Sequence, residues 1–432
     1  MRRLMLLVSV ATFVPQSARP QATLASRVAS APDGLIRMQY DSRTGVCGNG
    51  RDVIAFRHSY SSRNMQSYGH WSDAKCVVGP LRVTLTVTNG QVAQMQAQVG
   101  GTWPSASAHV TDLGTVPARD AAAVIFSLIP RLETSSETRR GRLLLPAVLA
   151  DEAPVTAPLL ALARDNARRD DTRRDAIHWL GTLGDESVVP ALVAFAKRGG
   201  SLERDDGRGD EGLASSAVAA LSSIEGGGGI PALVDLSRAE SVGTRRNAVF
   251  WLGQSGDPRA IRTLHTVIEN SGEDMRVRVH AIFSLSNSDE TPAAQFDYLR
   301  SIYARLDDDR LKEAIFQGMA QDREKGGSWL LAVASDAKEP TALRRKAVFW
   351  AGQRDGTATA DIVKVYKTAD SRDMREHTIF VLSQRNDDAA TDALIDIAKT
   401  DSDSHMRSKA LFWLAQKHDG RVSKLLTDIL VK

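Results

Sequence analysis

The stretch Leu343–Gln353 reads LRRKAVFWAGQ, and near-copies of it recur along the C-terminal two-thirds of the chain. They are TRRDAIHWLGT from Thr172, TRRNAVFWLGQ from Thr244, VRVHAIFSLSN from Val277, RLKEAIFQGMA from Arg310, MREHTIFVLSQ from Met374 and MRSKALFWLAQ from Met406. The small residue at the centre of each copy serves as an anchor: Ala176, Ala248, Ala281, Ala314, Ala347, Thr378 and Ala410, with a degenerate copy centred on Ala217. From Ala217 onward the anchors stand 31 to 33 residues apart. A fixed period of that length marks units that cannot bury an apolar face alone and stack on their neighbours to do so. The expected fold class is therefore mainly α, an α-solenoid of helix pairs.

Each unit reads as a first helix, such as PALVAFAKR from Pro190, AIRTLHTVIEN from Ala260 or DALIDIAKT from Asp392, followed by the second helix that carries the anchor. The pairs Gly184-Asp185 and Gly256-Asp257 are suited to end one helix and cap the next, glycine by a left-handed turn and aspartate by accepting orphan amide hydrogens. One insertion, Gly199–Gly212, is too rich in glycine and charge to be helical and reads as a solvated loop. Its acidic spacing fits no EF-hand, and the tripeptide Arg208-Gly209-Asp210 occurs readily by chance.

Upstream of the repeats the pattern changes. Segments starting at Leu35, Val53, Leu81 and Gln91 are β-like in composition or alternate apolar with polar residues, and the last two flank Asn89-Gly90, a type I′ hairpin signal. A helix beginning at Pro117 is positioned to cover the sheet, and polar residues 135–141 mark a boundary. The expected domains are a leader over residues 1–25, a small, mostly antiparallel β domain with its covering helix over 34–133, and the solenoid over 142–432. Trp71 and Trp103 are expected in the β core, with a ligand-binding role as the alternative for either.

The chain has 432 residues with 55 Lys and Arg against 52 Asp and Glu, a net charge of +3, and the two signs are interleaved, which favours no nucleic-acid partner. Its start, MRRLMLLVSVATFV, pairs a basic n-region with an apolar run too short to span a bilayer. Ala18, Ala22 and Ala25 follow, so a secretory signal cut among them is expected, with periplasmic or secreted localisation and no later membrane insertion. A membrane anchor is the competing reading. The two cysteines, Cys47 and Cys76, then most simply form a disulfide in an oxidising compartment. A zinc site with the intervening His58 and His70 is the alternative, although the spacing matches no compact ligand pattern.

The motif of an apolar residue, Arg, two positions, then A-A/V-x-x-L-G is seen at Val277-Arg278, Leu343-Arg344, Met374-Arg375 and Met406-Arg407, with Leu285, Ala351, Leu382 or Leu414 four residues after the anchor. These units resemble HEAT-like repeats of the short bacterial kind also found in phycobilisome-lyase-like proteins, over about residues 142–432. The resemblance implies that the Arg three residues before each anchor bonds an acidic residue slightly upstream, with Asp171, Asp274, Glu339, Asp373 and Asp403 as candidates. Arg173, Arg245, Arg278, Arg344, Arg375 and Arg407 then form a structural ladder; binding of anionic ligands is the other possibility for them.

With about 100° per residue, positions −4, 0 and +4 from the anchor face the core. Trp179, Trp251, Trp350 and Trp413 at +3 are expected to pack in the seams between second helices. Position +2, about 200° from the anchor, holds Phe250, Phe283, Phe316, Phe349, Phe380 and Phe412, with His178 in the first copy. A line of exposed phenylalanines marks a contact surface, and Gln254, Gln353, Gln384 and Gln416 at +6 lie on the same side, where their amides suit an extended backbone. The alternative is that these rings pack between adjacent second helices.

The nine histidines, His265, His280, His377 and His405 among them, are scattered without metal-ligand spacing, and no catalytic motif is present. The sequence therefore points to an exported, non-enzymatic scaffold that needs no cofactor or metal and holds a protein or extended peptide on its second-helix face. Two alternatives stand beside it. One is an enzyme or enzyme subunit, implied by the lyase-associated resemblance; the other is small-ligand or cell-wall recognition by the β domain.

Overall fold

The computed structural model describes residues 22–51, 54–57, 65–68, 76–105, 107, 109–134, 143–198, 210–287, 293–323, 325–417 and 421. His58, His70, Trp71, Gly199–Gly209 and the first 21 residues of the expected leader lie outside that set. The chain divides into two compact units, Met1–Trp179 and Leu180–Lys432. Among the described residues no helix is long and apolar enough to cross a membrane.

The first unit begins with α1 (Leu24–Ala29), capped by the Thr23 hydroxyl, and continues through strands β1 (Gly34–Tyr40), β2 (Val46–Gly48), β3 (Ile54–Arg57), β4 (Met65–Tyr68), β5 (Leu81–Thr88), β6 (Gln91–Val99) and β7 (Val110–Thr115). Alternation along β1 and β5 buries Ile36, Met38 and Tyr40 against Leu81, Val83 and Leu85, as a sheet with one covered face requires. The order is β6-β5-β1-β7, antiparallel except that β7 runs parallel to β1, and β2-β3-β4 form a second antiparallel sheet. Helix α2 (Ala118–Leu132) packs on β6 through the face that carries Ile125 and Ile129.

Asn89 and Gly90 join β5 to β6 with φ of 54° and 71°, the doubly positive pair that a type I′ turn demands. Both of their amides donate to the Asp33 carboxylate, at 2.9 and 2.7 Å. Cys47 and Cys76 are bonded to each other. Trp103 corrects the sequence expectation: it is not in the sheet core but half-buried, with the guanidinium groups of Arg37 and Arg82 at 5.6 and 4.9 Å from its ring. Arg37 and Arg82 occupy the alternate positions of β1 and β5, opposite the core face, which is why the indole is on that side.

Helices α3 (Leu145–Val148), α4 (Thr156–Arg164) and the larger part of α5 (Asp170–Leu183) complete the first unit. The second contains α6 (Val189–Arg198), α7 (Asp210–Ser223), α8 (Ile230–Leu236), α9 (Val242–Ser255), α10 (Pro258–Glu269), α11 (Met275–Ser286), α12 (Ala293–Tyr303), α13 (Asp309–Met319), α14 (Gly326–Ser335), α15 (Thr341–Gly352), α16 (Thr359–Thr368), α17 (Arg372–Ser383), α18 (Asp388–Thr400) and α19 (Ser404–Leu414). Helix α7 starts at Asp210, so the last three residues of the segment read as a loop are helical.

The odd-numbered second helices from α7 to α19 each pack on the next, more closely than the first helices do, so they form the inner row of the stack. Every anchor from Ala217 to Ala410 is at most 5% exposed, which confirms the sequence phase. Aspartate caps recur: Asp257 accepts from the Arg259 amide at 2.7 Å, Asp274 from Arg276 at 2.8 Å and Asp403 from His405 at 2.9 Å. Gly256 takes the left-handed turn with φ 66°. Gly184 is not left-handed; it is glycine because a Cβ there would lie 2.3 Å from the Leu180 carbonyl oxygen.

Close seams are made by glycine five residues after the anchor. A Cβ on Gly253 would lie 2.6 Å from the Ser284 carbonyl oxygen, and one on Gly352 would lie 2.3 Å from Val381 Cγ1. Gly253→Ala is therefore expected to force α9 and α11 apart and cost about 1–3 kcal/mol. Gly243→Ala on the same helix, with only the Ser241 hydroxyl near at 3.6 Å, serves as the control. Thermal unfolding of the two variants checks this, and equal midpoints would contradict the packing.

Candidate partner-binding face

Positions −2, +2 and +6 on the second helices form one stripe facing away from the anchors. On it Phe283 is 42% and Phe412 59% exposed, while Phe250, Phe349 and Phe380 are half-buried. Gln254, Gln353, Gln384 and Gln416 are all exposed beside them. Five of the six rings thus reach solvent along the inner row.

Phe316 is the exception and corrects the sequence expectation, since it is fully buried. Its ring is 5.5 Å from that of Tyr303 and 6.0 Å from that of Trp329, both on first helices. The cause is visible in the copy itself. At −4, where other copies place an apolar or small residue, α13 has exposed Arg310, and its buried residues are Leu311 at −3 and Met319 at +5. The helix is turned about its axis so that +2 joins the core side. Leu311 and Met319 were the sequence signal for that turn.

The rings are steadied by neighbours. Phe250, Phe349 and Phe412 each make an edge contact with the following Trp251, Trp350 and Trp413, at 5.2, 5.5 and 5.2 Å. Between helices, Phe380 meets Trp413 at 5.3 Å and Phe250 meets His280 at 6.0 Å, and His280 is also 6.0 Å from Phe283 on its own helix. Trp251, Trp350 and Trp413 are half-buried, whereas Trp179 is only 2% exposed and its ring lies 6.2 Å from that of Phe56. Burial holds the His280 and His377 imidazoles below their usual value, and the charges of Arg246 and Arg345 push in the same direction.

Sequence reasoning missed a row of ion pairs along the same helices. Glu313 pairs with Lys346 at 2.5 Å, Arg345 with Asp373 at 3.4 Å, and Glu376 with both His405 at 3.0 Å and Lys409 at 2.5 Å. Each pair joins one second helix to the next. Its signal was the complementary charge carried from copy to copy at positions −1, −2 and −5. Such pairs are partly exposed and add little stability, but they fix which side chains stand opposite one another.

The arginines at −3 also depart from expectation in their partners. Arg173, Arg278 and Arg344 are at most 8% exposed and donate through Nε to the carbonyls of Ala163, Ile268 and Ala334, ten residues upstream at the end of the preceding first helix. Arg245 and Arg407 bond carbonyls of the same connection: Ala239 and Glu240, Asp401 and Ser402. Asp274 and Asp403, expected upstream partners, are engaged as helix caps instead. Arg173 does meet an acid slightly upstream, Asp170 at 3.5 Å, while the other carboxylates that pair come from further on: Glu273 with Arg245, Asp370 with Arg344, Asp401 with Arg375. A carbonyl left unpaired at a helix end is what the guanidinium satisfies.

Residues 230–320 match the sequence model of a family described as HEAT repeats. Among solved structures, human deoxyhypusine hydroxylase in complex with glycerol is similar at 16% identity and a TM-score of 0.27, over 58% of this chain and 91% of that one. The complex of CpcE and CpcF of phycocyanin lyase from Nostoc sp. PCC7120 is similar at 18% identity and a TM-score of 0.29, over 55% and 92%. Importin beta is similar at 14% identity and a TM-score of 0.29, over 69% of this chain and 44% of its own. No curated protein matches the sequence.

Proposed function

The helical part of this chain is a HEAT-repeat solenoid, a scaffold of the kind that generally serves protein–protein interaction, and from that premise we propose that it holds an extended segment of a partner protein along its second-helix row. The observation that carries this reading is the solvent-facing line of Phe250, Phe283, Phe349, Phe380 and Phe412 with exposed glutamines one turn away. Helices stack about 8–10 Å apart. A polyproline II strand shows the same face every three residues, about 9 Å, so apolar side chains at every third position meet successive rings while its free carbonyls and amides meet the glutamines. On this reading the protein is non-enzymatic.

The setting we propose is outside the cytoplasm, after removal of the leader. Leu24 and Val28 are buried and Thr23 caps their helix, which favours a cut after Ala18 or Ala22 over one after Ala25.

The test is capture of a partner from a periplasmic extract by the wild type and by the double variant Phe283→Ser/Phe412→Ser. The expected result is loss of the captured protein with thermal stability retained, because both rings are already exposed. A partner retained equally by both proteins removes this face from consideration.

A further inference from the structure

Arg278 stands apart from three of its equivalents in the ladder. Arg245, Arg344 and Arg375 reach a carboxylate supplied 28, 26 and 26 residues downstream, from the connection that precedes the next second helix. At the same offsets from Arg278 the chain has Ala304, Arg305 and Leu306. Its Nε donates to the Ile268 carbonyl at 2.9 Å, and among the described residues no acceptor pairs with its two terminal nitrogens. The residue is only 8% exposed, no carboxylate among the described residues pairs with it, and its terminal nitrogens are not sealed in the core but reach the solvent of a cleft.

The guanidinium lines a half-open cleft of about 370 Å³ between the ends of α10 and α12 and the starts of α11 and α13. Ile302, Leu306 and Leu311 give it an apolar floor, and Met275 adds a flexible wall. Two of the acids on its rim are engaged elsewhere. Glu269 accepts from the Tyr298 hydroxyl at 2.9 Å and faces Arg305 at 3.7 Å, and Asp308 caps α13 and pairs with Arg310 at 2.8 Å. Asp307 is exposed at the mouth.

We propose that this cleft binds a carboxylate carrying a short aliphatic body, the end of a peptide or a free small acid, with the carboxylate on the terminal nitrogens of Arg278 and the aliphatic part on Ile302, Leu306 and Leu311. The chain itself supplies the template, since Asp370 places both carboxylate oxygens on Arg344 Nη1, at 2.9 and 3.0 Å. A planar fork favours carboxylate in this slot, and the volume is at the lower end of small-molecule sites. The cleft lies off the phenylalanine stripe, and its readout is independent of partner capture, so the two readings fail separately.

The experiment is calorimetric titration of the full chain with N-acetyl-leucine, with hexanoate and with the uncharged N-acetyl-leucinamide. The expected result is millimolar binding of N-acetyl-leucine and binding of the amide weaker by about 30-fold or more. Hexanoate binding equally well assigns the site to free small acids; N-acetyl-leucine alone assigns it to peptide ends. Arg278→Met is expected to lose the acid, and Asp307→Asn to bind it more tightly as a repelling charge is removed from the mouth. Should Arg278→Met fail to fold, Arg278→Lys keeps the charge without the fork and is expected to bind about tenfold more weakly. Equal binding of acid and amide, no binding of either, or wild-type affinity in whichever Arg278 variant folds overturns the proposal.

Discussion

Phe316→Ala is expected to destabilise the helical unit by about 3–5 kcal/mol, the usual cost of emptying a phenylalanine-sized space in a packed core. The ring is fully buried, and removing it takes away the contacts it makes with Tyr303 and Trp329. The same substitution at Phe412, 59% exposed on α19, is expected to change stability by no more than about 0.5 kcal/mol. Chemical denaturation of the two variants side by side checks the contrast. A small loss at position 316 would mean that α13 is not turned as described and that its ring is on the solvent stripe with the other five.

The second large effect belongs to the first unit. Cys47 and Cys76 are separated by 29 residues, and by the chain-entropy account closing such a loop stabilises by roughly 3.5 kcal/mol. Cys47 is on β2, and next to Cys76 is Val77, whose amide and carbonyl both pair with Gly48 at 2.8 and 3.0 Å. The bond therefore fastens together the two ends of the segment that contains β3 and β4. Cys47→Ser/Cys76→Ser is expected to lower the unfolding midpoint of the β-rich part, followed by near-ultraviolet circular dichroism. Adding a reducing agent to the wild type should reproduce the shift, and no change under either condition would show that the bond contributes nothing.

Much of the fold was legible because the solenoid repeats one decision many times. A buried anchor every 31 to 33 residues fixes helix phase, and an error in one copy is outvoted by the others. What the repeat pattern does not reveal is specific to single copies or depends on distant pairing. The Arg310-Leu311 exchange that turns α13 is one residue out of register with its relatives, and averaging over copies hid it. The resemblance to HEAT-like repeats implies upstream acids for the ladder arginines, whereas Glu273, Asp370 and Asp401 are supplied by the following unit, a pairing that local sequence does not announce. In the β domain, β7 carries no strong alternation and is held by parallel pairing with β1, a long-range contact that a local pattern does not announce. Hydrophobicity alone suggests the core for Trp103, although two arginines opposite the core face offer its ring a cationic partner.

The narrow seams have a consequence for how such an array can change in length. Deleting the unit made by α16 and α17 would bring Trp413 of α19 to the place now occupied by Val381, against Gly352, where even one added methyl group has no room. Bulky and bare contacts occur in a set order, so the units are not interchangeable modules. Copy number and sequence order in this array are locked by what each surface can accept from the next, and a shortened or shuffled descendant would have to rewrite both sides of a joint at once.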